Sequence, residues 1–355
     1  MKKLRLIKIY LVLSLLIFAT CNKDENIIHY PNATANGIDD QALYSAIEKA
    51  RDNMGILSII VYRNNDVIAE EYFGENKSET YHPIRSVTKS VTSILFGLAM
   101  DMGLINDLNA TVGDYLSEYL TASDSLVANV TIKNLLTMTA GFEWEELSDY
   151  SDFNSWVQSD DHLIYALQVP LIYSPSTHFT YTTPGCQILS AIFTKETGYS
   201  LADFAKEFLY PKLEIVGERP WDQDQYGYNY GGITLNLTAQ DMLKLGILIQ
   251  NEGIYNGEQI ISKQWVVEST TAFIDATNST YYADQYAYLW WLGKKNDDVY
   301  YFANGYGGQF IFVFPNLNMV VVAQSEINNE YRSSNEQWSS TISIILEDIY
   351  NSAEP

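Results

Sequence analysis

The sequence predicts an α+β fold, an antiparallel sheet flanked by helices and carrying a mostly helical insertion. Three observations predict it. Two β-rich runs near the start are joined like a hairpin, four more close the chain between turn residues, and the block between them has helical spacing. The 355 residues are 47% hydrophobic and 18% charged, enough apolar material for a sizeable core.

The chain opens with "MKKLRLIKIYLVLSLLIFATC", a basic start followed by an apolar run from Ile9 to Ala19. The run is short for a spanning helix and polar residues follow it, so residues 1–20 read as a signal peptide. Ala19 and Thr20 before Cys21 resemble a lipobox, although Thr20 is not the usual small residue there, and "CNKDEN" resembles the signal behind the lipidated cysteine of surface-exposed bacterial lipoproteins. The expectation is an exported lipoprotein, periplasmic or at the outer-membrane surface. A lipid on Cys21 and a polar tether over 21–38 would anchor it without spanning the bilayer. A plain secretory peptide with an incidental cysteine is the alternative.

Residues 39–350 read as one domain, with its sheet part over about 39–103 and 210–350 and the helical insertion over about 104–209. "DDQALYSAIEKARD" (39–52) has helical spacing with acids at its start. The runs 56–62 and 67–73 flank Asn64, Asn65 and Asp66 and predict a hairpin. Ser86 opens a helix to about Met102, with Gly103 as its cap. Helices are predicted over 131–138, over 185–209 with a break at Gly198, and over 237–253 with an N-cap near Thr238. "YAYLWWLG", "VYYFANG", "GQFIFVFP" and "MVVVAQS" follow as strands, and 336–350 is amphipathic.

The net charge of −23 opposes binding to nucleic acid or to an anionic lipid surface, and no run of Lys and Arg overrides it. Besides Cys21 the only cysteine is Cys186, which reads as a small core residue. With Cys21 acylated no intrachain disulfide can form, and two cysteines exclude a zinc ribbon. There is no His-x-His, His-Glu-x-x-His or Gly-Lys-Ser/Thr pattern, so neither a catalytic metal nor a nucleotide cofactor is expected.

"IRSVTKSV" (84–91) carries the chemistry. Ser86 and Lys89 lie at i and i+3, on one face of a helix and about 5–6 Å apart at Cβ. A serine in the first turn also meets free N–H groups and the positive end of the helix dipole. Lys89 can act as base only when neutral, and burial beside Val87, Val91, Ile94, Leu95 and Leu98 would lower its pKa. Alone, the pair reads first as an N-cap with a solvated lysine. A Ser–His–Asp site lacks its Gly-x-Ser-x-Gly elbow, and neither His82 nor His178 stands in a triad context. Asp160–Asp161 and "EWEE" read as solvated loops.

The company of "SVTK" decides between those readings. "LLTMTAGFEW" (135–144), "FTYTTPGCQILSAIFTKETGYSLADF" (179–204), "GGITLNLTAQDMLKLGILIQNEGIYNG" (231–257), "YAYLWW" (286–291) and "GYGGQFIFVFP" (305–315) follow it in order. Together they resemble the class C-like branch of the serine β-lactamase and penicillin-binding-protein superfamily over about residues 40–350. The last block is similar to its 6-aminohexanoate-dimer hydrolase and esterase side. The resemblance implies a β-lactamase/transpeptidase-like fold with a five-stranded sheet. It implies Ser86 as acylated nucleophile, Lys89 as its partner and Tyr181 as proton shuttle. The Tyr-x-Asn motif ends here in Thr183, and the Lys-Thr-Gly or His-x-Gly motif is replaced by Phe302-Ala303-Asn304-Gly305. A backbone N–H at Ala303 or Asn304 is expected to join that of Ser86 as an oxyanion hole. Glycines 305, 307 and 308 would let a ligand approach that strand end, or would simply make a turn.

Hydrolysis of a small amide, ester or short peptide through an acyl-enzyme follows, without a cofactor. The missing cation of the third motif favours a short amide or ester over a β-lactam, and D-alanyl carboxypeptidase or β-lactamase activity is the alternative among enzymes. A surface binding or sensor module with a decayed site is the alternative of a different class. Nothing in the sequence specifies the oligomeric state.

Overall fold

Polar two-residue turns set the sheet of this computed structural model, which describes residues 29–53, 55–121, 126–280, 282–327 and 333–353. Asn64 and Asn65 both take positive φ (52° and 70°), as a two-residue hairpin turn requires. They join β1 (Ile56–Arg63) to β2 (Asp66–Tyr72), with Arg63 opposite Asp66. Further along, β7 (Ile274–Thr280), β8 (Ala283–Tyr286), β9 (Trp291–Lys295), β10 (Asp298–Gly305), β11 (Gln309–Phe314) and β12 (Met319–Ser325) form a meander. Asn296 and Asp297 turn β9 into β10 as the asparagines do above.

The eight strands lie in the order β2-β1-β12-β11-β10-β9-β8-β7, all pairs antiparallel. The first strands therefore join the last, through Ile59 opposite Ala323 and Val61 opposite Val321. The expected five strands become eight. "YAYLWWLG" breaks at Ala287–Trp290 into a turn between β8 and β9, and polar "IDATNST" is held as a strand by pairing with β8. Two-stranded pieces pair β3 (His82–Pro83) with β4 (Asn236–Leu237) and β5 (Ile254–Tyr255) with β6 (Glu258–Gln259).

β11 and β12 are buried along their whole length, which explains their unbroken apolar runs. On one face lie α1 (Asp40–Asp52), capped by Asp39, and the C-terminal helix, which runs as α11 (Ser334–Ser343), a wider turn over 344–349 and α12 (Tyr350–Ser352). The other face carries α2 (Val87–Asp101) and α9 (Ala239–Gln250), the latter capped by Thr238 and Asp241. Gly246 lets α9 close on the sheet: a Cβ there would stand 2.6 Å from Val320. The remaining helices are α3 (Val112–Leu116), α4 (Ile132–Leu136), α5 (Ser151–Val157), α6 (His162–Gln168), α7 (Thr183–Thr197), α8 (Leu201–Phe204) and α10 (Lys263–Ser269). α7 is the hub of the block between β3 and β4 and touches α2, α3, α4, α6 and α8.

The structure corrects the tether. Ala33 and Ile38 are fully buried, the Tyr30 N–H donates to Asp40 at 2.7 Å, and Ile38 bridges Ala353, so residues 30–38 belong to the folded body. Cys21 and the expected signal peptide lie outside the described residues. Among the described residues no helix is long and apolar enough to cross a membrane, and no cluster of His, Cys, Asp and Glu could hold a metal.

Candidate active site

α2 stands between the sheet and the helical block and is buried from Val87 to Ala99. Buried polar side chains on it need partners. Ser90 donates to the Leu289 carbonyl and Thr92 to the Gly231 carbonyl, both at 2.7 Å. Lys89, 1% exposed, is the charged member of the set.

Its three donors are all used: Ser86 Oγ at 2.9 Å, Thr183 Oγ1 at 2.8 Å and the Gly232 carbonyl at 3.1 Å. That is the full capacity of an ammonium, which has three N–H donors and no acceptor. Ser86 occupies the N-cap position, yet its side chain caps no N–H of the helix. The cap reading of this serine is thereby excluded; the hydroxyl serves Lys89 instead. The Gly231–Gly232 pair has a steric reason, since a Cβ at Gly231 would meet the Cys186 carbonyl at 2.3 Å and one at Gly232 the lysine at 3.2 Å.

Tyr181 enters from the loop before α7, 8% exposed, with Lys89 Nζ 4.8 Å from its ring centroid. Trp291 stacks on it at 5.3 Å and Tyr286 meets it edge-on. The lysine and the Ser86 hydroxyl are among the groups that act on its phenol. Burial pushes the phenol up, against the pull of the lysine charge. The Cys186 thiol beneath is pushed up to about 12, also by burial, so it serves as packing rather than as a nucleophile.

Glu146, the last residue of "EWEE", does not lie in a solvated loop. It is 6% exposed and accepts from Thr183 Oγ1 at 2.5 Å, from the Thr183 N–H at 2.9 Å and from Trp144 Nε1 at 2.9 Å. Thr183, at the Asn position of the family motif, thus links Lys89 to a carboxylate. This changes the lysine. Burial pulls its ammonium down, as expected, but Tyr181, Cys186 and Glu146 push it up by more, and the net direction is upward. Lys89 is therefore held charged at rest. No local signal marks Glu146, because what selects it from the acids of residues 143–149 is a contact across 37 residues.

β9 faces β10 only as far as Phe302, so Ala303, Asn304 and Gly305 pair with β11 alone. Gly305 lies against the segment before Ser86: a Cβ there would stand 2.5 Å from the Ile84 carbonyl. Its glycine is needed for that backbone approach, while Gly307 and Gly308 (φ 78° and 99°) make the turn to β11. The Asn304 side chain accepts from Trp338 at 2.7 Å. None of the histidines bonds Ser86: His29 stacks on Tyr44, His82 meets Asn76, His162 meets Tyr230 and His178 stacks on Tyr173.

The Beta-lactamase family model matches residues 45–342. The chain belongs to the beta-lactamase family. It is 24% identical over 291 residues to the 6-aminohexanoate-dimer hydrolase of Paenarthrobacter ureafaciens, 76% of this chain and 72% of that one. Its fold is similar to a Bacillus anthracis chain assigned as a 6-aminohexanoate-dimer hydrolase (TM-score 0.71, 20% identity, 86% of this chain and 81% of that one). It is also similar to a family VIII carboxylesterase (TM-score 0.64, 17% identity, 89% and 99%). The protein is a β-lactamase-related serine hydrolase with esterase- and amidase-type neighbours, of a family that acts on small amides or esters.

Proposed function

We propose that this hydrolase cleaves an amide or ester through an acyl-enzyme on Ser86. The observation that carries the reading is the buried Lys89 ammonium 2.9 Å from a serine hydroxyl that caps nothing, with the Tyr181 ring 4.8 Å from that ammonium. Because Lys89 is charged at rest, it must lose a proton before it can accept one from Ser86. The path is in place: Lys89 passes a proton to Thr183 Oγ1, which releases its own to Glu146. The neutral amine then takes the Ser86 proton as Oγ bonds the carbonyl carbon, and Tyr181 carries a proton to the leaving nitrogen or oxygen. The Ser86 N–H and a β10 N–H at Ala303 or Asn304 receive the oxyanion. Water repeats the sequence on the acyl-enzyme and releases the acid. The third motif offers no cation for a β-lactam carboxylate, which favours linear amides and esters, such as the 6-aminohexanoate dimer for which the Paenarthrobacter relative is named.

A fluorophosphonate probe and p-nitrophenyl esters test this. The protein should be labelled once, and Ser86→Ala should lose labelling and at least about 10³-fold of kcat/KM. Ester turnover that survives in Ser86→Ala refutes the assignment. Export and acylation at Cys21 are proposed from the leader sequence, and labelled palmitate incorporated into the parent but not into Cys21→Ser checks them.

A further inference from the structure

α4 ends at a position that favours glycine and holds a methionine. The Met138 N–H donates to the Leu135 carbonyl at 3.2 Å and the Thr139 N–H to the Asn134 carbonyl at 2.8 Å, the two bonds of a Schellman turn with Met138 as its left-handed residue. Met138 accordingly takes φ 55°, where glycine would make the same turn without strain. A long side chain kept in that conformation needs a use, and strain of this kind gathers at working sites.

Two contacts show the use. The Met138 carbonyl accepts from the Thr180 N–H at 2.8 Å, and the Met138 Sδ accepts from the Thr182 N–H at 3.3 Å. These N–H groups stand one residue to either side of Tyr181. Thr182 is extended (φ −138°, ψ 104°), and its hydroxyl caps no N–H of α7 but donates to the Thr180 carbonyl at 2.7 Å. A thioether is a weak acceptor, and buried N–H groups ordinarily meet oxygen. Met138 and Thr182 are each 2% exposed, so loss of the sulfur would leave that N–H unmatched.

We infer that Met138 is a positioning residue for the proton shuttle, holding the backbone on both sides of Tyr181 so that the phenol stays in register with Ser86. The inference rests on the hydrolase reading above, in which Tyr181 carries a proton to the leaving group. Trp291 and Tyr286 pack the ring, but such contacts are weakly directional and leave it free to slide. Two hydrogen bonds to one residue fix the segment against both shift and rotation, where a single acceptor would leave a pivot. The Thr183 N–H, bonded to Glu146 at 2.9 Å, continues the same line of anchors into α7.

The test is how acylation depends on the leaving group. kcat/KM is measured for ethyl and p-nitrophenyl butyrate, which form one acyl-enzyme. p-Nitrophenolate leaves without a proton and ethoxide does not, so the ethyl-to-p-nitrophenyl ratio reads proton delivery by Tyr181, whereas a loss of folded protein lowers both rates alike. Met138→Leu keeps the bulk and removes the acceptor, and its ratio should fall at least about tenfold. Met138→Gln returns an acceptor of similar reach and should recover most of that loss. Tyr181→Phe marks the floor. A parent ratio in Met138→Leu beside a lowered one in Tyr181→Phe overturns the inference and leaves the shuttle standing, as does a folded Met138→Gln that recovers nothing. A parent ratio in Tyr181→Phe undoes the shuttle and this inference with it. Hydrogen exchange at the Thr182 amide needs neither turnover nor a folded variant. In the parent it should be slowed at least about 10³-fold against an unstructured peptide, and exchange at the peptide's rate overturns the inference.

Discussion

Thr183 is the residue on which the chemistry turns. A threonine here is a shorter group than the asparagine of the family motif, but it can accept and donate through one oxygen. It accepts from Lys89 at 2.8 Å and donates to Glu146 at 2.5 Å, which an asparagine would have to do through two separate atoms. Thr183→Val keeps the shape and removes the hydroxyl. It should lower kcat about 10²-fold, the scale of lost acid–base help, while Thr183→Ser stays within a few-fold of the parent. The solvent deuterium isotope effect on kcat separates a relay from simple packing: it should differ between Thr183→Val and the parent. Identical rates in parent and Thr183→Val would remove the threonine from the proton path.

At the scale of elements, the site depends on how the end of β10 meets the turn into α2. Two glycines allow a matched experiment. A Cβ at Gly246 would meet Val320 and Ile311 at 2.6 and 2.9 Å, where α9 packs on the sheet, whereas one at Gly305 would meet the Ile84 carbonyl at 2.5 Å, in the segment that leads into Ser86. Both alanine variants should lose about 1–3 kcal/mol through overpacking. Gly305→Ala should in addition drop kcat/KM roughly 10²-fold by displacing Ser86, while Gly246→Ala retains it. Thermal melts and ester assays read both, and equal activity in the two variants would argue against a strained β10–α2 junction. The same contrast explains what the sequence could disclose. The Ser86–Lys89 pair and the Asn64–Asn65 hairpin are local and were legible in their spacing. β7 was not, because "IDATNST" has no alternation and exists as a strand through its partner β8. Glu146 looks like a loop residue until packing buries it. The charge on Lys89 is hidden for the same reason, since burial is legible in its apolar neighbours but the groups that oppose it arrive from other elements.

For the whole molecule, the density of buried phenols predicts how it fails. Tyr181, Tyr210, Tyr286 and Tyr300 are all buried, and in each burial pushes the phenol above its ordinary value of 10.0. In the unfolded chain these groups release protons near pH 10; in the folded protein they hold them. Above that pH the folded state binds more protons, so stability falls as pH rises. Lys89 acts in the same direction. Its folded pKa lies above its ordinary 10.5, so its contribution is complete below that pH and is lost as pH climbs through the folded value. Each group contributes a slope of at most about 1.4 kcal/mol per pH unit, so four phenols give up to about 5 kcal/mol per unit, against a total of roughly 5–15 kcal/mol for a folded domain. Urea midpoints should therefore agree at pH 7 and 9, drop by half or more near pH 11, and vanish shortly above. Ultraviolet absorbance near 295 nm should show tyrosines ionising together with unfolding rather than before it. Titration of those phenols in a chain that is still folded at pH 11 would mean that their burial is looser than the packing around Lys89 requires.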